Sequence, residues 1–207
     1  MDDFILKLKH DTSKLHSIAE NAGFNKNLFN GSLTKEKYGN YLMNKFHIYS
    51  ALENAILHNK NSPAISKIYM PELERKRHIL NDLRLILPEL PDKLPMLSTT
   101  ESYVYHLNHL DQKSPELLIA HAYTNYLAEM AGGTIIKRIL LSKYGFKEEE
   151  LSVYNFNNLD DFKVFQPRYH KLISEIVSKN HIEKAFIEES KLAYIFITMV
   201  LVELVDK

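Results

Sequence analysis

The stretch Ser114-Pro115-Glu116-Leu117-Leu118-Ile119-Ala120-His121-Ala122-Tyr123-Thr124-Asn125-Tyr126-Leu127-Ala128-Glu129-Met130-Ala131-Gly132-Gly133 decides the fold. Ser114-Pro115 is a strong helix start, because a first-turn residue has no use for the N–H that proline lacks. The helical pattern continues to Tyr144, and Gly145 suits a left-handed C-terminal cap. At 1.5 Å per residue, such a helix is on the order of 45 Å long. Gly132-Gly133 falls near its centre, where each glycine costs about 1 kcal/mol relative to alanine. Some use must compensate. A tight helix crossing or kink is one reading, and close approach of the helix backbone to another surface is the other. The residues alone leave both open.

Outward from this helix, apolar residues recur at steps of three and four, and only six glycines interrupt the chain. The spacing predicts an all-α fold. A first helix is expected from Asp3 to Ala22, with Ile5, Leu8, Thr12, Leu15, Ala19 and Ala22 on one face and Gly23 as its stop. A second begins at Ser32 or Thr34, carries Tyr38, Tyr41, Leu42, Lys45, Ile48, Tyr49, Leu52 and Ile56, and ends before Asn61-Ser62-Pro63. Pro71 suits the first turn of a helix with Leu73, Leu80, Leu83 and Leu87 on its stripe, and residues 88–95 then form a loop. A short helix is expected over Glu101 to Leu110, and two more over Leu159 to Ser178 and His181 to Val205.

A chain of 207 residues that is 45% hydrophobic can bury one sizeable core, so a single domain over 1–207 is expected. The 26 basic and 26 acidic residues cancel, which argues against nucleic acid as a partner. Without cysteine the chain has no disulfide, thiolate nucleophile, iron–sulfur cluster or thiolate-ligated heme. That composition is compatible with the cytoplasm. The charged start Met1-Asp2-Asp3-Phe4 does not read as a secretory signal. Leu192 to Val205 is short for a bilayer and carries Glu203, so it reads as a buried helix, and no membrane anchor is expected.

Ten histidines offer many ligands, but the common metal patterns are missing: neither His-Glu-x-x-His nor Glu-x-x-His occurs, nor a Gly-rich phosphate cradle. His106 and His109 lie one turn apart, and with no third ligand nearby in sequence they read as a solvated face. His16 has more telling neighbours. Lys9, Ser13, His16 and Glu20 line one side of a helix beside its apolar stripe. An imidazole there could ligate a flat hydrophobic cofactor, with Glu20 orienting the ring and Lys9 reaching an anionic edge. By itself a lone interfacial histidine is more often structural than a ligand.

Leu15-His16-Ser17-Ile18-Ala19-Glu20-Asn21 resembles the proximal-ligand segment of the heme oxygenases. His47-Ile48-Tyr49-Ser50-Ala51-Leu52-Glu53 and Tyr69-Met70-Pro71-Glu72-Leu73 are similar to two further family segments. Leu117 to Thr124 with Gly132-Gly133 resembles the start and kink of the family's distal helix. These matches occur in the family's order, from about residue 5 to residue 205.

The resemblance implies a multi-helix fold with a kinked distal helix, heme as both cofactor and substrate, and cleavage to biliverdin, carbon monoxide and ferrous iron. It implies His16 as the iron ligand, Glu20 as its orienting partner, and Gly132 and Gly133 as the backbone over the heme face. Lys9, Tyr123 and Lys163 match positions at the heme propionates. The family's arginine there corresponds to Pro167, with Arg168 one position later. Glu129 takes the place of a carboxylate that holds water near bound dioxygen. Ala128 and Glu129 stand where the family leads one to expect glycine and aspartate, and the longer Glu129 either closes the gap left by the Ala128 methyl or displaces a water. Electrons would come from a separate reductase, flavodoxin or ferredoxin, since no flavin or nicotinamide motif is visible. A heme carrier, sensor or peroxidase would use the same His16. A helical hydrolase of the thiamin-degrading class would need a cysteine, which this chain lacks.

Overall fold

The computed structural model describes residues 2–87, 89–91, 93–157 and 159–205, and over these the chain is helical, with no strand. Helix α1 (Asp3–Glu20) buries Ile5, Leu8, Thr12 and Ala19, the face expected from the spacing. Gly23 does not stop the chain. It opens α2 (Gly23–Asn30), whose start lies against the last helix so closely that a Cβ on Gly23 would sit 2.4 Å from the Leu201 carbonyl oxygen. Helix α3 (Lys35–His58) is capped by Thr34, whose hydroxyl accepts from the Lys37 N–H.

Beyond α4 (Ile65–Ile68), the helix expected from Pro71 divides into a 3₁₀ turn, Pro71–Leu73, and α5 (Lys76–Ile86). Two buried charges cause the break. Glu53 reaches from α3 to accept the Arg75 and Lys76 N–H groups, satisfying donors that α5 leaves unpaired. The Arg75 guanidinium donates to the carbonyls of Glu72, Leu73, Glu74 and Asn155, which fixes the turn and ties it to a distant segment. Asp82 stands on the buried face of α5 beside Leu83 and accepts from the Ser152 and Val153 N–H groups. The stripe is therefore Ile79, Asp82, Leu83 and Ile86 rather than one passing through Leu80.

Helix α6 (Ser98–Lys113) is longer at both ends than expected. A 3₁₀ turn, Pro115–Leu117, then leads into α7 (Leu118–Tyr144), which ends on Gly145 at φ 66° as the sequence suggested. The helix is continuous through Gly132-Gly133, and neither glycine has positive φ. Their surroundings differ. A Cβ on Gly133 would lie 2.7 Å from the Tyr154 ring, part of the 3₁₀ segment Glu148–Tyr154, whereas one on Gly132 would meet nothing within 4 Å. Helix α8 (Phe162–Asn180) ends on His181, which adopts the left-handed conformation at φ 54° and therefore belongs to its cap, not to the next helix. Helix α9 (Glu183–Glu203) packs along α1 and against α7. It is half buried rather than enclosed: Val200 and Leu201 face inward while Leu192, Ile195, Met199 and Val202 remain exposed. Among the described residues no helix is long and apolar enough to cross a membrane.

Two outcomes follow from this packing. Burial pushes the Glu53 carboxyl from 4.5 up to about 7, against the two backbone N–H groups that favour its charge. The folded protein thus holds this proton more tightly than the unfolded chain, and stability falls as pH rises from 4.5 towards 7. Glu53→Gln keeps an acceptor but cannot ionise, so its urea-unfolding free energy is expected to decline less across that window, by about 3 kcal/mol. At the glycine pair, Gly133→Ala should destabilise by about 1–3 kcal/mol through overpacking on Tyr154, whereas Gly132→Ala should stabilise by about 1 kcal/mol through helix propensity. The same unfolding measurement checks both.

Candidate functional site

Five helices line a cavity of about 350 Å³, α2 through Asn25. Helix α1 contributes His16, Ala19 and Glu20; α7 contributes Asn125, Ala128, Glu129 and Gly132; α3 and α9 complete the walls with Lys45, Tyr49, Tyr194 and Ile197. The lining is largely apolar with a few convergent polar groups, the usual character of a small-molecule site.

His16 is 48% exposed and presents its ring to this cavity. Its Nδ1 lies 3.5 Å from Glu20 Oε2, and the Tyr194 ring meets it edge-on at 5.6 Å between centroids. Those contacts set the plane of the imidazole, while among the described residues nothing bonds Nε2. Separate helices thus supply an imidazole and, along α7, a wall in which Ala128 and Gly132 offer almost no side chain. Helical geometry explains why Gly132 lines the cavity and Gly133 does not: successive residues point about 100° apart.

The cavity's charged feature joins α3 to α7. Lys45 Nζ is bonded to Glu129 Oε1 and lies 3.2 Å from the Tyr41 hydroxyl, with the Tyr41 and Tyr49 rings 5.1 and 5.5 Å away. Burial works against the ammonium, yet the Glu129 carboxylate and the Tyr41 hydroxyl outweigh it and hold the Lys45 pKa above its ordinary value. Glu129 Oε2 is buried with no hydrogen-bond partner among the described residues, an acceptor that a water or ligand donor would satisfy. The extra methylene of Glu129 is thus used to reach Lys45.

His16, Glu20, Ala128, Glu129 and Gly132 therefore share one cavity, as the sequence suggested they would. Lys9, Tyr123, Lys163 and Arg168 are not among its lining residues. Tyr123 is buried, its ring 5.8 Å from His170 and 6.4 Å from Phe186. Burial, and then the neighbouring charge of half-buried Lys9, lower the His170 pKa to about 4, which puts Lys9 and Tyr123 around the same imidazole. Lys163 and Arg168 are exposed on α8, and Arg168 is paired with Asp160 at 2.8 Å. Sequence reasoning assigned no role to Lys45 or Asn125. A lysine inside the apolar stripe of α3 was the available signal, because a long cation on a buried face needs a charged partner.

A family model described as heme oxygenase matches residues 2–203. The heme oxygenase of Porphyra purpurea is 33% identical over 190 residues, covering 91% of this chain and 80% of that protein. Among solved structures, heme oxygenase-1 from the cyanobacterium Synechocystis, in complex with heme, superposes with a TM-score of 0.91 at 29% identity, covering 98% of this chain and 92% of the other. The heme oxygenase of Leptospira interrogans gives 0.91 at 27% identity, covering 98% and 100%. With a cavity that offers one imidazole opposite a small-residue helix wall, and with these likenesses over nearly its full length, the chain belongs to the heme oxygenase family.

Proposed function

We propose that this chain takes heme as its substrate and opens the porphyrin ring to biliverdin, carbon monoxide and ferrous iron. The observation that carries the reading is His16, a half-exposed imidazole that lines one cavity with Ala128 and Gly132 and whose Nε2 is bonded by none of the described residues. Bound heme would supply the iron that takes dioxygen and the ring carbon that is oxidised. Dioxygen is reduced in that exchange, so electrons come from an external donor, of which a flavodoxin- or ferredoxin-type reductase is the proposed class.

The protein's part is placement and proton control. His16 Nε2 would hold the iron as its only protein ligand, with Glu20 and Tyr194 fixing the ring plane. Ala128 and Gly132 would let the α7 backbone lie close over the opposite face. Lys45 keeps Glu129 in place, and its Oε2, unpartnered among the described residues, would accept a hydrogen bond from water beside the bound gas. Lys9, Lys163 and Arg168 are the cations proposed for the propionates, with the Tyr123 hydroxyl as a further donor. Arg168 would then exchange Asp160 for a propionate. We place this activity in the cytoplasm, where a cysteine-free chain has no need of an oxidising compartment.

His16→Ala should lose the imidazole-ligated optical spectrum of the heme complex and its conversion to biliverdin, and added imidazole should restore part of both; an unchanged spectrum would overturn the assignment. Lys45→Met leaves the Glu129 charge in a half-closed apolar cavity and should cost about 3–5 kcal/mol in denaturant unfolding. The pair Lys45→Met with Glu129→Gln should recover most of that loss, because no uncompensated charge remains.

A further inference from the structure

Away from the heme cleft, three helices bring two imidazoles and a carboxylate to one point. His121 of α7 places Nε2 2.8 Å from Glu189 Oε1 of α9, and His106 of α6 bonds through Nε2 to that same oxygen. The three atoms lie within 4.8 Å of one another. His121 is fully buried and Glu189 nearly so, while His106 has 23% of its side chain exposed and connects the group to solvent. Both rings converge on a single carboxylate oxygen instead of taking one oxygen each, so they aim at a common position. His109, one turn along α6, is exposed and takes no part, so the ligands that complete a set with His106 come from other helices rather than from its sequence neighbour.

Two histidines and one carboxylate with further positions open form a ligand set for first-row divalent cations such as zinc or ferrous iron. The surroundings suit that use. His121 Nδ1 lies 2.9 Å from the Tyr103 hydroxyl, which is held in turn by Asn125 Nδ2 at 3.0 Å. A hydrogen bond at the far nitrogen is what orients an imidazole ligand and sets its tautomer. On binding, each ring would give its Nε2 lone pair to the cation, a proton held there moving to Nδ1 or to solvent. His121 Nδ1–H would then donate to Tyr103, and Glu189 would supply the carboxylate oxygen both rings now share.

We infer that His106, His121 and Glu189 form a binding site for one first-row divalent cation, distinct from the heme cleft. The site does not depend on the reading of the cleft. A bound cation would clamp the start of α7 between α6 and α9 and, through Tyr103, hold Asn125, whose side chain lines the cleft.

Cobalt(II) titrated into the full-length chain without heme is the direct probe, read by its visible ligand-field bands. The expected result is one equivalent bound, displaced by zinc and, without oxygen, by an excess of ferrous iron, but not by magnesium, which favours oxygen ligands. His106→Gln, a change at the protein surface, should weaken binding by about 100-fold or more, and Tyr103→Phe by about 10-fold. His109→Gln should leave it unchanged. Absence of ligand-field bands, displacement by magnesium, or equal affinity in the natural chain and His106→Gln would each overturn the site.

Discussion

From Leu118 to Leu127 every residue of α7 is buried, so this half of the helix has no solvent face on which to put a polar group. Whatever polar atoms it carries must be satisfied inside the protein, since an unpaired buried donor or acceptor costs about 1–3 kcal/mol. His121 is held by Tyr103 and Glu189, the Thr124 hydroxyl donates to the Ala120 carbonyl, and Asn125 Nδ2 donates both to Tyr103 and to the His121 carbonyl. Those bonds fix the rotation of the helix about its own axis. One turn later the enclosure opens on a single side, and the residues that rotation places there are Ala128, Glu129 and Gly132. The cleft is therefore where the burial of α7 ends, and its lining is set by contacts made a turn earlier.

The buried charges follow the same logic at other points. Glu53 and Asp82 serve as caps for segments that lack their own, and Arg75 gathers carbonyls from two stretches of irregular chain. Each substitutes a side chain for the backbone partner that a longer helix would have supplied. Lys45 and Glu129 differ, because their pairing leaves one carboxylate oxygen over. Glu53 and Asp82, by contrast, engage both of their carboxylate oxygens with backbone donors.

Much of this was readable in the chain. Periodicity located the long helices, Thr34 and Gly145 marked their ends by cap chemistry, and the segments around His16 and Gly132 named one cavity before its walls were known. What escaped was decided by distant partners. Helix α2 is eight residues long and starts at a glycine whose reason is the α9 backbone. The division between Pro71–Leu73 and α5 depends on Glu53, 22 residues away from Arg75. Gly132 and Gly133 are indistinguishable in sequence, and only their rotation about the helix gives one to the cavity and the other to Tyr154. His106 and Glu189 are 83 residues apart, a spacing that no local pattern reports.

The pairing of α1 with α9 bears on how the molecule comes into being. Phe4 meets Phe186 and His16 meets Tyr194, so the two helices run side by side in the same direction although most of the chain separates them, and Gly23 at the start of α2 continues the contact at Leu201. During synthesis α1 leaves the ribosome well before α9, so its apolar face waits for a partner made much later. The contacts that finish the cleft are thus among those of longest loop closure, which places them late in folding. A nascent chain holding His16 lacks the Tyr194 and Ile197 wall of the cavity until α9 has emerged, so the cavity closes around this imidazole only through that helix.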